Sequence, residues 1–278
     1  MRAARHGDTA LIERLLLTGG CGLDGEGEWV VLVPVSFLLE ERDNDGDTAL
    51  AYAIMWGNDE CARMLVRAGA NVNTRSDNSW TPLMNAVWYN RVEIVRFLLE
   101  NGADPAATNE SDGTALVLAA QEGYSEVLQE LLLCGVGRMD DALCSAVQGG
   151  HVACVDVLLA AGVDPTTGLL KAAECGTIEI LEMLLRAGAD PDVEDEDGWG
   201  PLMWFATRVD GEGVDVMTAL LEAKSQWTRL QDGSWGLVVQ RWGPAAMGPP
   251  PVSLTWHLTA AAQSIQRAWR AATSRPSP

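Results

Sequence analysis

At 278 residues, with a formal net charge of −20 and a pI near 4.4, the chain is long enough for one domain plus a tail, and its charge repels nucleic-acid phosphates. Its six cysteines contain no CxxC pair or zinc-type spacing and are read as reduced thiols of an intracellular protein. The most apolar window, Trp29 to Leu39, is interrupted by Pro34 and falls short of the roughly 20 residues a membrane span needs. An N-terminus carrying Asp8 and Glu13 has no signal-peptide run, so the expected location is cytoplasmic, with the nucleus left open.

In chain order, residues 1–20 hold a partial copy of a unit that then recurs. The Gly that ends each copy stands at Gly19, Gly69, Gly102, Gly135, Gly162 and Gly188, in steps of 50, 33, 33, 27 and 26. A seventh copy ends near Lys224. Residues 21–41 are an insertion, and 42–224 carry the full array. Within one unit, Thr81 caps a first helix opened by Pro82, where a missing N–H costs nothing. Val92, Ile94, Val95, Leu98 and Leu99 follow a helical period and form the apolar stripe of a second helix, which Gly102 ends. Neither helix can bury its stripe alone, so the units must stack. The copies ending at Gly162 and Gly188 lack the Thr-Pro-Leu start, and their connecting turns are expected to be clipped.

Thr48-Ala49-Leu50, Thr81-Pro82-Leu83, Thr114-Ala115-Leu116 and Gly200-Pro201-Leu202 recur in register with Gly69-Ala70-Asn71, Gly102-Ala103-Asp104 and Gly188-Ala189-Asp190. This pattern resembles the ankyrin repeat family over roughly residues 1–224. The resemblance implies an all-α solenoid of stacked helix pairs with short β-hairpins. It also implies binding through the hairpin tips and the exposed end of each first helix. The residues at those positions include Asp45, Asp47, Trp56, Trp80, Trp88, Tyr89, Glu122 and Trp199. Trp56, Trp80, Trp88 and Tyr89 form the most informative group, because aromatic side chains are enriched at binding hot spots. The flanking acids favour a basic peptide as partner.

Residues 225–251 read as a Trp-rich hairpin around Asp232-Gly233 followed by the Gly248-Pro249-Pro250-Pro251 linker. Residues 252–278 read as a helix. Every acid of the chain lies at or before Asp232, whereas Arg241, Arg267, Arg270 and Arg275 follow it. Ile265, Gln266, Trp269, Arg270 and Arg275 stand in a pattern that resembles the IQ motif, with Ala271 where Gly is preferred. That resemblance implies capture by calmodulin or a related EF-hand protein, with Ile265 and Trp269 sharing one helix face and the arginines meeting acidic groups.

No catalytic constellation, cofactor motif or metal site is found. His6, His151 and His257 lie beside no plausible nucleophile. The acidic run from Asp190 to Asp197 fails the calcium-loop pattern, because placing Gly198 sixth puts Val193 first. The expectation is a monomeric, non-catalytic adaptor whose solenoid holds a protein partner and whose tail recruits an EF-hand protein. The alternative is an ankyrin interaction module, or a fragment of a larger protein, whose tail helix is structural and does not bind calmodulin.

Overall fold

The computed structural model describes residues 1–18, 21–23, 29–31, 35–135, 137–201, 204, 227–229 and 235–237. Helices come in pairs, as the doubled pattern within each unit requires. In chain order the elements begin with α1 (Arg2–His6) and α2 (Thr9–Thr18), then β1 (Cys21–Leu23), β2 (Trp29–Val31) and α3 (Val35–Glu40). Three full pairs follow: α4 (Ala49–Met55) with α5 (Asp59–Arg67), α6 (Pro82–Trp88) with α7 (Val92–Glu100), and α8 (Ala115–Glu122) with α9 (Ser125–Leu132). Then come α10 (Met139–Gln148), α11 (Val152–Ala160), α12 (Thr166–Cys175) and α13 (Ile178–Arg186), with β3 (Trp227–Arg229) and β4 (Trp235–Leu237) last. The chain divides into two compact units, Met1–Ser145 and Ala146–Pro278.

In the first unit the start of each first helix is set by a threonine. Thr48, Thr81 and Thr114 hold extended backbone, and their Oγ1 atoms accept the N–H of Ala51 at 3.4 Å, Met84 at 3.2 Å and Val117 at 3.3 Å. Each threonine is only 2% exposed, so water has little access to replace the cap. Helices of seven to nine residues are marginal on their own, and stacking supplies what they lack. First helices pack in the order α1, α4, α6, α8, and second helices in the order α2, α5, α7, α9. Ile94, Val95 and Leu98 on α7 are wholly buried in this stack, each contributing about 1.5–3 kcal/mol of apolar burial.

Polar side chains stitch neighbouring repeats where backbone groups would otherwise be orphaned. Asn58 Nδ2 donates to the carbonyls of Ala4 and Arg5, at 2.7 and 2.9 Å, at the end of α1. Asn73 Oδ1 accepts the N–H of Asp104 at 2.8 Å, while its Nδ2 donates to Gly102 O at 2.9 Å. Glu40, the last residue of α3, stands 33 residues before Asn73 and does the equivalent work: its Oε1 accepts the N–H of Asn71 at 2.9 Å. The insertion thus ends by restoring the register of the array. Leu39 on the same helix is buried, and α3 packs on α4.

The short β-hairpins expected of the repeats do not form. Among the described residues of the repeats there is no β-strand, and a single isolated bridge joins Thr108 to Thr114. Each finger between repeats is a tight turn that closes on itself within five residues, leaving no run of backbone to pair as a ladder. The three-residue strands lie outside the repeats: β1 pairs antiparallel with β2 inside the insertion, and β3 pairs antiparallel with β4. The fold class is therefore helix-rich and all-α in its repeats, without hairpins.

In the second unit α11 packs on α13 and α12 packs on α13. Leu158, Leu169, Leu181 and Leu184 are wholly buried there. Only five residues separate Ala160 from Thr166, whereas Arg67 to Pro82 leaves room for a full finger. Pro165, which makes no side-chain cap bond, precedes α12 in place of threonine. Asp190 N–H donates to Thr166 Oγ1 at 3.1 Å, the stitch that Asn73 supplies in the first unit. The seventh copy ending near Lys224, the Pro linker and the 252–278 helix, with Ile265, Gln266, Trp269, Arg270 and Arg275, lie outside the described residues, apart from Pro201 and Trp204. Among the described residues no helix is long and apolar enough to cross a membrane.

Candidate protein-binding face

The fingers are built by one side chain each. Asp43, Ser76, Asn109 and Asp195 donate their N–H to the carbonyl four residues on, in Asp47, Trp80, Gly113 and Trp199. Their side-chain oxygens accept the N–H of the same four residues in return, at 2.8, 3.2, 2.8 and 2.8 Å. These residue types hydrogen-bond the following backbone readily, which is why such turns select them. Two of the fingers are also tied to a helix. Tyr52 Oη donates to Asp43 Oδ2 at 2.6 Å, and Trp204 Nε1 donates to Asp195 Oδ2 at 2.7 Å.

Adjacent fingers of the first unit touch. Asp77 N–H donates to Asp45 O at 3.0 Å, and Arg42 Nη1 donates to Arg75 O at 2.7 Å. The acids collected here alter one another. The Tyr52 hydroxyl, with the turn's backbone N–H groups, holds the Asp43 carboxyl below its ordinary range. Burial, reinforced by the charges of Asp43, Asp45 and Asp77, pushes the Asp47 carboxyl up. Asp45 is exposed and Asp47 half-buried.

Each finger leads into the start of a first helix, and aromatic residues stand at the other end. Trp56 caps α4, Trp88 is the last residue of α6, and Tyr89 caps α6. Directly beneath them Ala53, Ile54, Ala86 and Val87 are wholly buried, so these helices do not need aromatic residues at their ends to form a core. Trp56 is 53% exposed, Trp88 42% and Tyr89 41%. Trp80 leaves its finger to meet Trp88 edge to face, with ring centroids 5.6 Å apart at 82°. The Arg5 guanidinium lies over the Trp56 ring, 4.5 Å from its centroid. Glu122 follows in the next repeat, 33 residues after Tyr89, half-buried and accepting a hydrogen bond from Gln121 Nε2 at 3.3 Å. Trp199 belongs to the second unit, where it packs against Trp204 with centroids 5.3 Å apart.

Sequence reading misses Arg5, Asp43 and Tyr52. The signal for Asp43 was present in the recurrence of Ser76 and Asn109 at 33-residue steps. For Arg5 and Tyr52 it was not, because each acts on a residue that only the fold brings near.

Among the described residues no group of His, Cys, Asp and Glu side chains is placed to hold a metal ion. Cys61, Cys134, Cys154 and Cys175 are free thiols. Burial pushes the Cys154 thiol up to about 11, which keeps it protonated and unreactive at neutral pH.

Residues 1–109 match the family model for ankyrin repeats in three copies, and residues 89–132 match the model for many copies. No curated protein matches the chain. Among solved structures, the chain is similar to the human ASB11 ankyrin repeat domain at 24% identity and a TM-score of 0.63, covering 80% of this chain and 96% of that one. It is likewise similar to the ankyrin repeat domain of Bcl-3, a member of the IkappaB protein family, at 24% identity and a TM-score of 0.64, covering 79% of this chain and 96% of that one. These similarities establish the fold, and the two family matches carry it into the sequence itself. Residues 1–132 match ankyrin-repeat models, and the likeness to solved ankyrin repeat domains extends that fold across 80% of the chain.

Proposed function

We propose that the chain is an adaptor whose first unit holds one protein partner across Asp45, Asp47, Trp56, Trp80, Trp88, Tyr89 and Glu122, with Trp199 serving as a separate contact in the second unit. One observation carries the reading: three large aromatic side chains stay exposed at the ends of first helices in adjacent repeats, over a core that does not use them. The acids of the fingers in the same unit favour a basic peptide segment in the partner. The test compares affinity capture from cell extract by the full chain and by a Trp56→Ala/Trp88→Ala/Tyr89→Ala variant, with Glu100→Gln as a control on the opposite helix. A partner recovered with wild type and control but depleted at least tenfold with the triple variant supports the reading. Equal recovery with all three sinks it.

The tail supplies the adaptor's second contact. Ile265, Gln266, Trp269, Arg270 and Arg275 bind calmodulin or a related EF-hand protein, a role that rests on their likeness to the IQ motif and on the acid-free, arginine-bearing sequence around them. Titration of the full chain with calmodulin, in calcium and in chelator, checks it. Binding lost in Ile265→Ala/Arg270→Ala supports the role, and no binding in either condition removes it.

A further inference from the structure

Among the described residues, two arginines of this acidic chain lie over aromatic rings, Arg5 over Trp56 and Arg63 over Phe97. The chain carries 39 acidic residues against 19 basic ones, yet Arg5 enters no salt bridge among the described residues. Its guanidinium lies instead on the Trp56 ring, 4.5 Å from the centroid. Arg5 is exposed and sits in the last turn of a five-residue helix, so little else holds it there. The Trp56 face is therefore a seat that a guanidinium occupies in preference to open solvent.

The fingers of the same unit carry the opposite charge. The finger that leads into α4 presents Asp45 and Asp47, and the next finger, which touches it through Asp77 N–H to Asp45 O, presents Asp77. None of these three carboxylates is in an ion pair among the described residues. The nearby Arg42 is turned onto the Arg75 carbonyl rather than onto them. One repeat on, Tyr89 repeats the exposed aromatic position, with Trp88 exposed next to it.

We propose that the Trp56–Trp88–Tyr89 face takes an arginine-bearing segment of a partner protein, with Arg5 as the intramolecular placeholder that the partner's guanidinium displaces. The proposal rests on the reading of this face as partner-binding. Arginine is specified over lysine for two reasons. A planar, weakly hydrated guanidinium stacks flat on an indole, and its fork of donors stays open to pair a carboxylate in the same pose. An ammonium keeps its water and gains mainly from the acids.

The test follows the indole N–H signals of Trp56 and Trp88 by NMR in the full chain, assigned with Trp56→Phe and Trp88→Phe. The probes are acetyl-Gly-Arg-Gly-Arg-Gly-amide and its lysine counterpart at physiological salt. The arginine peptide is expected to shift both signals and to bind about 2- to 5-fold more tightly than the lysine peptide, the gain of one exposed cation–π contact. Arg5→Gln keeps most of the side chain's stem and removes the competing charge, and it should tighten the arginine peptide by a similar factor. Arg5→Lys should lie between that variant and wild type. Unmoved indole signals, or equal affinity for the two peptides, overturn the preference for arginine. Arg5→Gln binding no more tightly than wild type overturns the placeholder. Either result leaves the adaptor reading to stand or fall on the capture experiment, which does not depend on the chemistry of the partner's side chain.

Discussion

The Tyr52 hydroxyl and the Asp43 carboxylate meet at 2.6 Å, fastening the middle of α4 to the finger that leads into it. Trp204 and Asp195 make the same tie across the same nine-residue offset, so a phenol and an indole serve one geometric need. Tyr52→Phe keeps the packing and removes only the donor. Hydrogen bonds to charged groups contribute more than neutral ones, and a loss of about 1–2 kcal/mol is expected. The Asp43 carboxyl lies below its unfolded value of 3.8 because of this bond, so the folded state binds fewer protons there. Its contribution is fully present above that value and is lost as pH falls through the folded pKa. Thermal melts of Tyr52→Phe and wild type should differ at pH 7 and converge toward pH 2.

Asp47 behaves in the opposite sense. Burial and three neighbouring acids raise its carboxyl above 3.8, so at neutral pH its charge works against folding, and protonation relieves it. Asp47→Asn should raise the melting temperature at pH 7, with a gain of under about 1 kcal/mol for a half-buried group. The gain should shrink as pH falls through the raised pKa of Asp47. A variant that melts below wild type at pH 7 would mean the carboxylate makes a stabilising contact.

Gly46 and Gly102 both take left-handed backbone, with φ of +76° and +84°. A side chain at Gly102 would meet nothing within 4 Å, whereas one at Gly46 would lie 2.7 Å from the backbone nitrogen of Asp77. Gly102→Ala should cost about 1–2 kcal/mol, from backbone strain alone. Gly46→Ala should cost more, because the two fingers must also separate. Chemical denaturation of the two variants gives the ordering, and equal losses would show that the fingers yield freely.

Thr81→Ala removes a cap that water has little access to replace. A loss of about 1 kcal/mol is expected, with Thr81→Ser close to wild type. Leu98→Ala, on a wholly buried side chain of α7, should cost about 2–5 kcal/mol in the same denaturation series.

The helix pairs were legible in the sequence because stacking imposes a strict period. Thr48, Thr81 and Thr114 announce their caps, and Ile94, Val95 and Leu98 announce the buried stripe. The fingers were misjudged. The expected hairpins came from the family resemblance, whereas in the fold Asp43, Ser76, Asn109 and Asp195 close each finger through hydrogen bonds to the residue four on. The exposed aromatic positions were readable by register, since Trp56, Tyr89 and Glu122 fall 33 residues apart. Their company was not. Trp80 meets Trp88, and Arg5 covers Trp56, through contacts that no local spacing encodes.

The place that Glu40 takes in the array bears on how such a chain can vary. Because it sits one full period before Asn73 and makes the same bond to the following loop, the repeat count restarts there as though nothing had come between. The stretch between Thr18 and Val35 can therefore lengthen, shorten or receive foreign sequence with every downstream contact keeping its phase. The molecule carries a built-in splice point, at which evolution or an engineer can add a segment beside the first pair of helices and leave the later repeats in register.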